Sequence, residues 1–139
     1  MTPADLALIH AAANSRERPW SEAEFADLLA HPATILTGDS RSFVLGRVVL
    51  DEAEVLTLAT HPDHQRQGLA RAALTAFEQA AGQRNATTCF LEVAEDNDPA
   101  KALYLSSGYT QIGRRPHYYR MADGTHVAAL ILQKTLPGH

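Results

Sequence analysis

Cysteine is almost absent. The 139 residues hold one, Cys89, which excludes an intramolecular disulfide framework and any multi-cysteine zinc site. No apolar run approaches the ~18 residues that span a bilayer. The first residues hold Asp5 and no basic start, so no secretory signal is expected. Neither sign of charge dominates: Lys plus Arg number 12 and Asp plus Glu 16, for a net charge of −4 and a pI near 5.9. That balance is a poor match to non-specific nucleic-acid binding. The phosphate motifs G-x-x-x-x-G-K-[ST] and G-x-G-x-x-G are both missing. The length fits one domain over residues 1–139 and leaves no room for separate cofactor and substrate domains. Hydrophobic residues at 45% and charged residues at 20% are ordinary for a globular protein. A cytoplasmic chain with no membrane partner and no direct nucleic-acid partner is expected.

What is present has a clear order. Thr2-Pro3-Ala4-Asp5 reads as a helix start, with Thr as N-cap, Pro at the first helical position and an acid in the first turn. Leu6, Ile9 and Ala13 follow at helical spacing, and a break comes at Asn14–Pro19. Ser21-Glu22-Ala23-Glu24 is a capping box, with Trp20 set to staple onto Phe25. The second helix should stop near His31-Pro32.

Ala33–Thr37 and Ser42–Leu50 then read as a hairpin about Gly38-Asp39-Ser40, with a second turn at Asp51-Glu52 and a third strand over Val55–Thr60. Gln67–Ala81 carries Leu69, Leu74, Phe77 and Ala81 at helical spacing. Thr87–Val93 is a short buried-type strand. Asp98-Pro99 opens a further helix, closed at Ser107-Gly108. A strand begins at Tyr109–Ile112, and Tyr118–Arg120 pairs with His126–Lys134 around Asp123-Gly124. The reading is mixed α/β: one sheet with helices on both faces.

The chemistry concentrates in Val55–Arg71. A strand ends at Ala59-Thr60, and His64-Gln65-Arg66-Gln67-Gly68-Leu69-Ala70-Arg71 leads into a helix. A glycine turn there aims backbone N–H groups out of the helix end, and the dipole adds to their pull on phosphate. Gly68 and Ala70 are small enough for close approach, and Arg66 and Arg71 add positive charge. For a single glycine turn, an ordinary capped helix with solvated arginines explains the same residues.

The run Gln65-Arg66-Gln67-Gly68-Leu69-Ala70 resembles the acetyl-CoA pyrophosphate loop (R/Q-x-x-G-x-G/A) of the GNAT N-acetyltransferases. The resemblance covers nearly the whole chain, and within the family it is to the bacterial ribosomal-protein alanine N-acetyltransferases. It rests on an ordered set: Pro19-Trp20-Ser21, Val48–Ala53, Leu91-Glu92-Val93 with Asn97, Ala102-Leu103-Tyr104, Gly108-Tyr109, and Arg114-Arg115-Pro116-His117-Tyr118-Tyr119. It implies a mostly antiparallel sheet with a V-shaped splay. It also implies transfer of an acetyl group from acetyl-CoA to a primary amine, that of an N-terminal alanine in a small-subunit ribosomal protein. A protein or peptide N-terminus is then the partner, and the chain is a monomer or weak dimer.

The resemblance assigns roles residue by residue. Backbone groups of Leu58, Ala59 and Thr60 would hold the pantetheine arm, whose amides can satisfy the free N–H and C=O groups of a splayed strand. Arg66, Gln67, Gly68, Leu69, Ala70 and Arg71 would hold the pyrophosphate, and Asn97 the arm. Ala70 stands where many members have Gly, and Ala33–Ser42 is short for the family.

Glu92 would be the general base. An α-amine has a pKa near ~7.7–8.0 and a lysine near ~10.4, so freeing an N-terminal amine is cheaper by roughly 3.5 kcal/mol. A carboxylate can take that proton directly or through water. Glu92 also reads as a solvent-facing strand residue, opposite Leu91 and Val93. Tyr104 would be the general acid: a phenol near ~10 can protonate a thiolate whose thiol lies near ~8.5. It follows Asn97 by about two helical turns, so both can line one side of the arm. Its other reading is an aromatic packing helix on sheet.

His61 and His64 have few carboxylates near them, and no metal is expected. Cys89 reads as core, in keeping with the direct transfer the family implies. Arg114, Arg115, His117 and Arg120 form a basic patch, either solvated or in contact with an acidic surface or the adenosine phosphate. Glu52 and Glu54 either meet the amine or sit at a strand edge. An acceptor that is a lysine or a small-molecule amine stays open. So does a non-catalytic acetyl-CoA-binding domain, against which Glu92 and Tyr104 together argue.

Overall fold

Local capping starts the N-terminal helices. The structure is a computed structural model that describes residues 1–13, 18–121 and 123–137. Helix α1 spans Pro3–Ala13. The Asp5 backbone N–H donates to Thr2 Oγ1 at 3.2 Å and that of Thr2 to Asp5 Oδ2 at 2.9 Å, so two of the end's orphan donors are satisfied. Residues 14–17 of the expected break lie outside the described residues. Helix α2, Glu22–Ala30, has its capping box formed: Glu24 N–H donates to Ser21 Oγ and Ser21 N–H to Glu24 Oε1, both at 3.1 Å. Trp20 packs on Phe25 with ring centroids 5.4 Å apart, and α2 ends at Ala30 with His31 as its C-cap.

Strands β1 (Thr34–Asp39) and β2 (Ser42–Val49) form the hairpin, and β3 covers Glu52–Thr60. The first turn is tighter than the expected Gly38-Asp39-Ser40, because Asp39 still pairs with Ser42. The β2–β3 turn falls on Leu50 and Asp51, Leu50 adopting φ 58°, so β3 begins three residues before Val55. After a 3₁₀ turn at Pro62–His64 come α3 (Leu69–Gln83), β4 (Thr88–Ala94), α4 (Asp98–Ser106), β5 (Thr110–Arg120) and β6 (His126–Thr135). Gly108 closes α4 at φ 99°, as the Ser107-Gly108 signal requires. The expected gap between Ile112 and Tyr118 is instead one strand. Two register shifts in β5 absorb extra residues, so Pro116, which has no N–H to donate, can stay within it.

The sheet order is β1-β2-β3-β4-β6-β5. Every neighbouring pair is antiparallel except β3 with β4. Two cores lie on its faces. Leu74, Phe77, Ala81 and Tyr104 of α3 and α4 pack with Val44, Ala53, Val55, Leu91 and Val93. Leu6, Ile9 and Phe25 of α1 and α2 pack on the other face with Phe43, Leu45 and Ala59. The alternation along β2 sends Phe43 and Leu45 to one core and Val44 to the other.

Candidate active site

The parallel ladder between β3 and β4 stops early. Its last pair is Val55 with Leu91, although β3 runs on to Thr60 and β4 to Ala94. On its other edge, β3 keeps pairing with β2 out to Thr60. A bulge marks the departure: Leu45 pairs with Thr57 and Gly46 with Val55, leaving Leu56 as an extra residue in β3. A bulge bends its strand and raises its twist. Beyond it, the edge of Leu58, Ala59 and Thr60 that would face β4 has no strand partner. Such groups seek hydrogen bonds, and an amide-bearing chain laid in the opening would supply them.

The α3 N-terminus lies just downstream. Its N-cap is Gly68 at φ 76°, and no side chain caps it. Arg66 is left-handed as well, at φ 63°. Added bulk at Gly68 would meet nothing within 4 Å, so glycine serves the left-handed turn there and leaves open space. Uncapped N–H groups with the helix dipole suit an anion. Arg71 has a further engagement that its sequence position did not signal. Its guanidinium donates to Ser106 Oγ at 2.7 Å and Ser107 Oγ at 3.1 Å, strapping α3 to the end of α4. Asn97 is the N-cap of α4, its Oδ1 accepting from Ala100 N–H at 3.3 Å, which leaves the side-chain amide N–H groups as donors.

Glu92 and Tyr104 lie on opposite sides of the sheet. Glu92 is the residue after the last β3–β4 pair. Leu91 and Val93 belong to the α3–α4 core, so alternation turns Glu92 to the other face. Its carboxylate meets Arg115 of β5 at 3.4 Å. Tyr104 sits in the α3–α4 core, its ring edge-on to Tyr109 at 5.9 Å between centroids. Burial pushes its phenol well above the ordinary range, so in the closed core the hydroxyl is protonated but a weaker acid than a free phenol.

Behind Tyr104 lies a partly buried polar chain that sequence reading missed. The Tyr109 hydroxyl donates to Glu78 Oε2 at 2.9 Å and lies 3.2 Å from Cys89 Sγ. Lys134 Nζ donates to Glu78 Oε1 at 2.8 Å. Burial raises the Cys89 thiol to about 11, so the thiol is a core group and a poor nucleophile. Glu54 is paired with Arg47 at 2.8 Å. Among the described residues, no cluster of three or more His, Cys, Asp or Glu could hold a metal ion, and no helix is long and apolar enough to cross a membrane.

Comparison with known proteins fixes the class. Residues 13–109 match the acetyltransferase (GNAT) family. The chain belongs to that family and is an N-acetyltransferase. It is 37% identical over 117 residues to the ribosomal protein bS18-alanine N-acetyltransferase of Escherichia coli K12, covering 81% of this chain and 79% of the relative. It is 34% identical over 113 residues to the N-alpha-acetyltransferase RimI of Mycobacterium tuberculosis, covering 75% and 70%. The crystal structure of the Escherichia coli ribosomal-protein-S18-alanine N-acetyltransferase superposes with a TM-score of 0.86 at 32% identity, over 99% of this chain and 89% of that one. Arabidopsis thaliana NAA60, solved with a bisubstrate analogue, shares the fold at a TM-score of 0.84 and 17% identity, over 100% and 97%.

Proposed function

We propose that this chain moves an acetyl group from acetyl-CoA to the N-terminal α-amine of a protein, an alanine of a small-subunit ribosomal protein, by direct attack. The observation that carries this is the β3–β4 ladder ending at Val55 and Leu91, next to the uncapped start of α3. The pantetheine arm takes the free backbone edge of Leu58, Ala59 and Thr60, with Asn97 and Tyr104 along its side. The segment from Arg66 through Gln67, Gly68, Leu69 and Ala70 to Arg71 holds the pyrophosphate. The names of the Escherichia coli and Mycobacterium tuberculosis relatives support an N-terminal acceptor.

Glu92 takes a proton from the acceptor ammonium, directly or through water. The freed nitrogen lone pair adds to the thioester carbon, the C–N bond forms and the C–S bond breaks. The departing thiolate takes the phenolic proton of Tyr104. The second proton leaves the new amide nitrogen and returns the phenol to its neutral form through solvent, and Glu92 releases the first proton to solvent. Glu92 and Tyr104 on opposite faces of the sheet support base and acid acting from the two sides of the acyl carbon. All of residues 1–139 form one catalytic domain, at work in the cytoplasm as a monomer or weak dimer.

Mass spectrometry of a peptide library incubated with acetyl-CoA tests this. An Ala-starting peptide gains one acetyl group at its α-amine. Glu92→Gln and Tyr104→Phe each lower kcat roughly 10²-fold, with KM for acetyl-CoA little changed. No turnover of any N-terminal peptide would sink the proposal.

A further inference from the structure

Two arginines of the β5 strand pair with acids on and just beyond β4. Arg115 Nη2 lies 3.4 Å from Glu92 Oε1, and Arg114 Nη2 lies 2.8 Å from Glu95 Oε2. The Arg115 guanidinium also lies 5.2 Å from the centroid of the Tyr118 ring. A bulge builds this contact. From Arg115 to Tyr119, β5 advances four residues while β6 moves only from Ala129 to Val127. His117 turns left-handed at φ 55° within it. Arg115 is thereby held between an aromatic face and a carboxylate, a geometry its planar fork suits better than lysine's point charge does.

The consequence is one of charge. A lone carboxylate at the entry of an amine site attracts cations, the more strongly the more charges they carry. Paired with Arg115, Glu92 presents no net charge. We infer that Arg115 is a specificity-determining, positioning residue, which orients Glu92 and cancels its pull on polycationic amines, so that the site favours a peptide α-amine over a polyamine. This rests on the acceptor-side role proposed above for Glu92. Arg115 is 53% exposed on its side chain, so replacing it leaves the core intact.

The test compares an Ala-starting peptide with spermidine as acceptors for the full chain at saturating acetyl-CoA, following CoA release. In Arg115→Gln, the ratio of kcat/KM for peptide over spermidine should fall at least about ten-fold, through a lower KM for spermidine, and the shift should shrink as salt is raised. Arg115→Lys, which keeps the charge, should restore most of the ratio. In a Glu92→Gln background the Arg115→Gln shift should vanish, because no carboxylate remains to be unmasked. An unchanged ratio in Arg115→Gln overturns the inference, and so does an equal shift in Arg115→Lys or a shift that survives Glu92→Gln. A wild-type chain inactive on every N-terminal peptide fails the proposed function instead. Calorimetric binding of spermidine to the CoA-loaded wild type and Arg115→Gln then still reads the charge effect: tighter binding by the variant supports it, equal binding overturns it.

Discussion

His10 carries a charge-state requirement. It is buried between α1 and α2, its Nδ1 accepts the Trp20 backbone N–H at 3.2 Å, and its ring packs on Trp20 and Phe25. That acceptor exists only in the neutral ring. Burial lowers its pKa, and Arg18 lowers it further against an opposing pull from Glu24. The unfolded chain therefore binds the proton more readily than the fold does, so stability is full above the ordinary histidine value and drains as pH falls below it. Urea denaturation between about pH 7.5 and pH 5.5 should show a smaller loss of stability in His10→Gln than in wild type. The same slope in both would exclude His10 as the source. Single residues were unevenly legible in the sequence. Glu92 and Tyr104 stand within an ordered motif and could be singled out. The pairing of Arg115 with Glu92 could not, because cross-strand partners depend on a bulge whose register no local pattern encodes. The Glu78–Tyr109–Lys134 chain joins α3, the residue just before β5, and β6, segments far apart in the chain.

At the scale of elements, α3 sits close on the sheet because β2 thins at Gly46. A Cβ there would stand 2.5 Å from Phe77 Cζ and 2.3 Å from the Glu54 carbonyl oxygen. Neither can withdraw: Phe77 is fully buried and the carbonyl belongs to the neighbouring strand. Gly46→Ala should cost about 2 kcal/mol by forcing the helix or the sheet to shift. A urea midpoint that falls with an unchanged slope would report this, and an unmoved midpoint would show that α3 yields freely. Elements were the most legible level. Each helix is announced by Ser, Thr or Pro at its start or by a glycine nearby, and local chemistry of that kind acts within a few residues. The exception was β5. Its two halves look like separate pieces because Pro116 breaks the alternation, yet long pairing with β6 keeps them one strand.

For the whole molecule, the opening between β3 and β4 makes stability depend on what fills it. Free CoA at about 100 times its Kd should add about 2.7 kcal/mol to unfolding and slow hydrogen exchange at Leu58, Ala59 and Thr60. A melting temperature indifferent to CoA would show that CoA does not bind, and a raised one with unchanged exchange at those three residues would place the ligand elsewhere. The sheet's composition was readable from local pattern, but its one parallel pair was not, and the splay at Leu58–Thr60 was expected only through the family resemblance, since both depend on where distant segments meet. The bulge at Leu56 sets that point and also changes the phase of β3. Before it, the odd-numbered Ala53 and Val55 face the α3–α4 core; after it, the even-numbered Leu58 does, and Ala59 faces the other. A chain shortened by that one residue would have to choose between continuous pairing and correctly sorted faces. In terms of heredity, the cleft is a frame: the count of residues from Val55 to Leu58 is fixed by two cores at once.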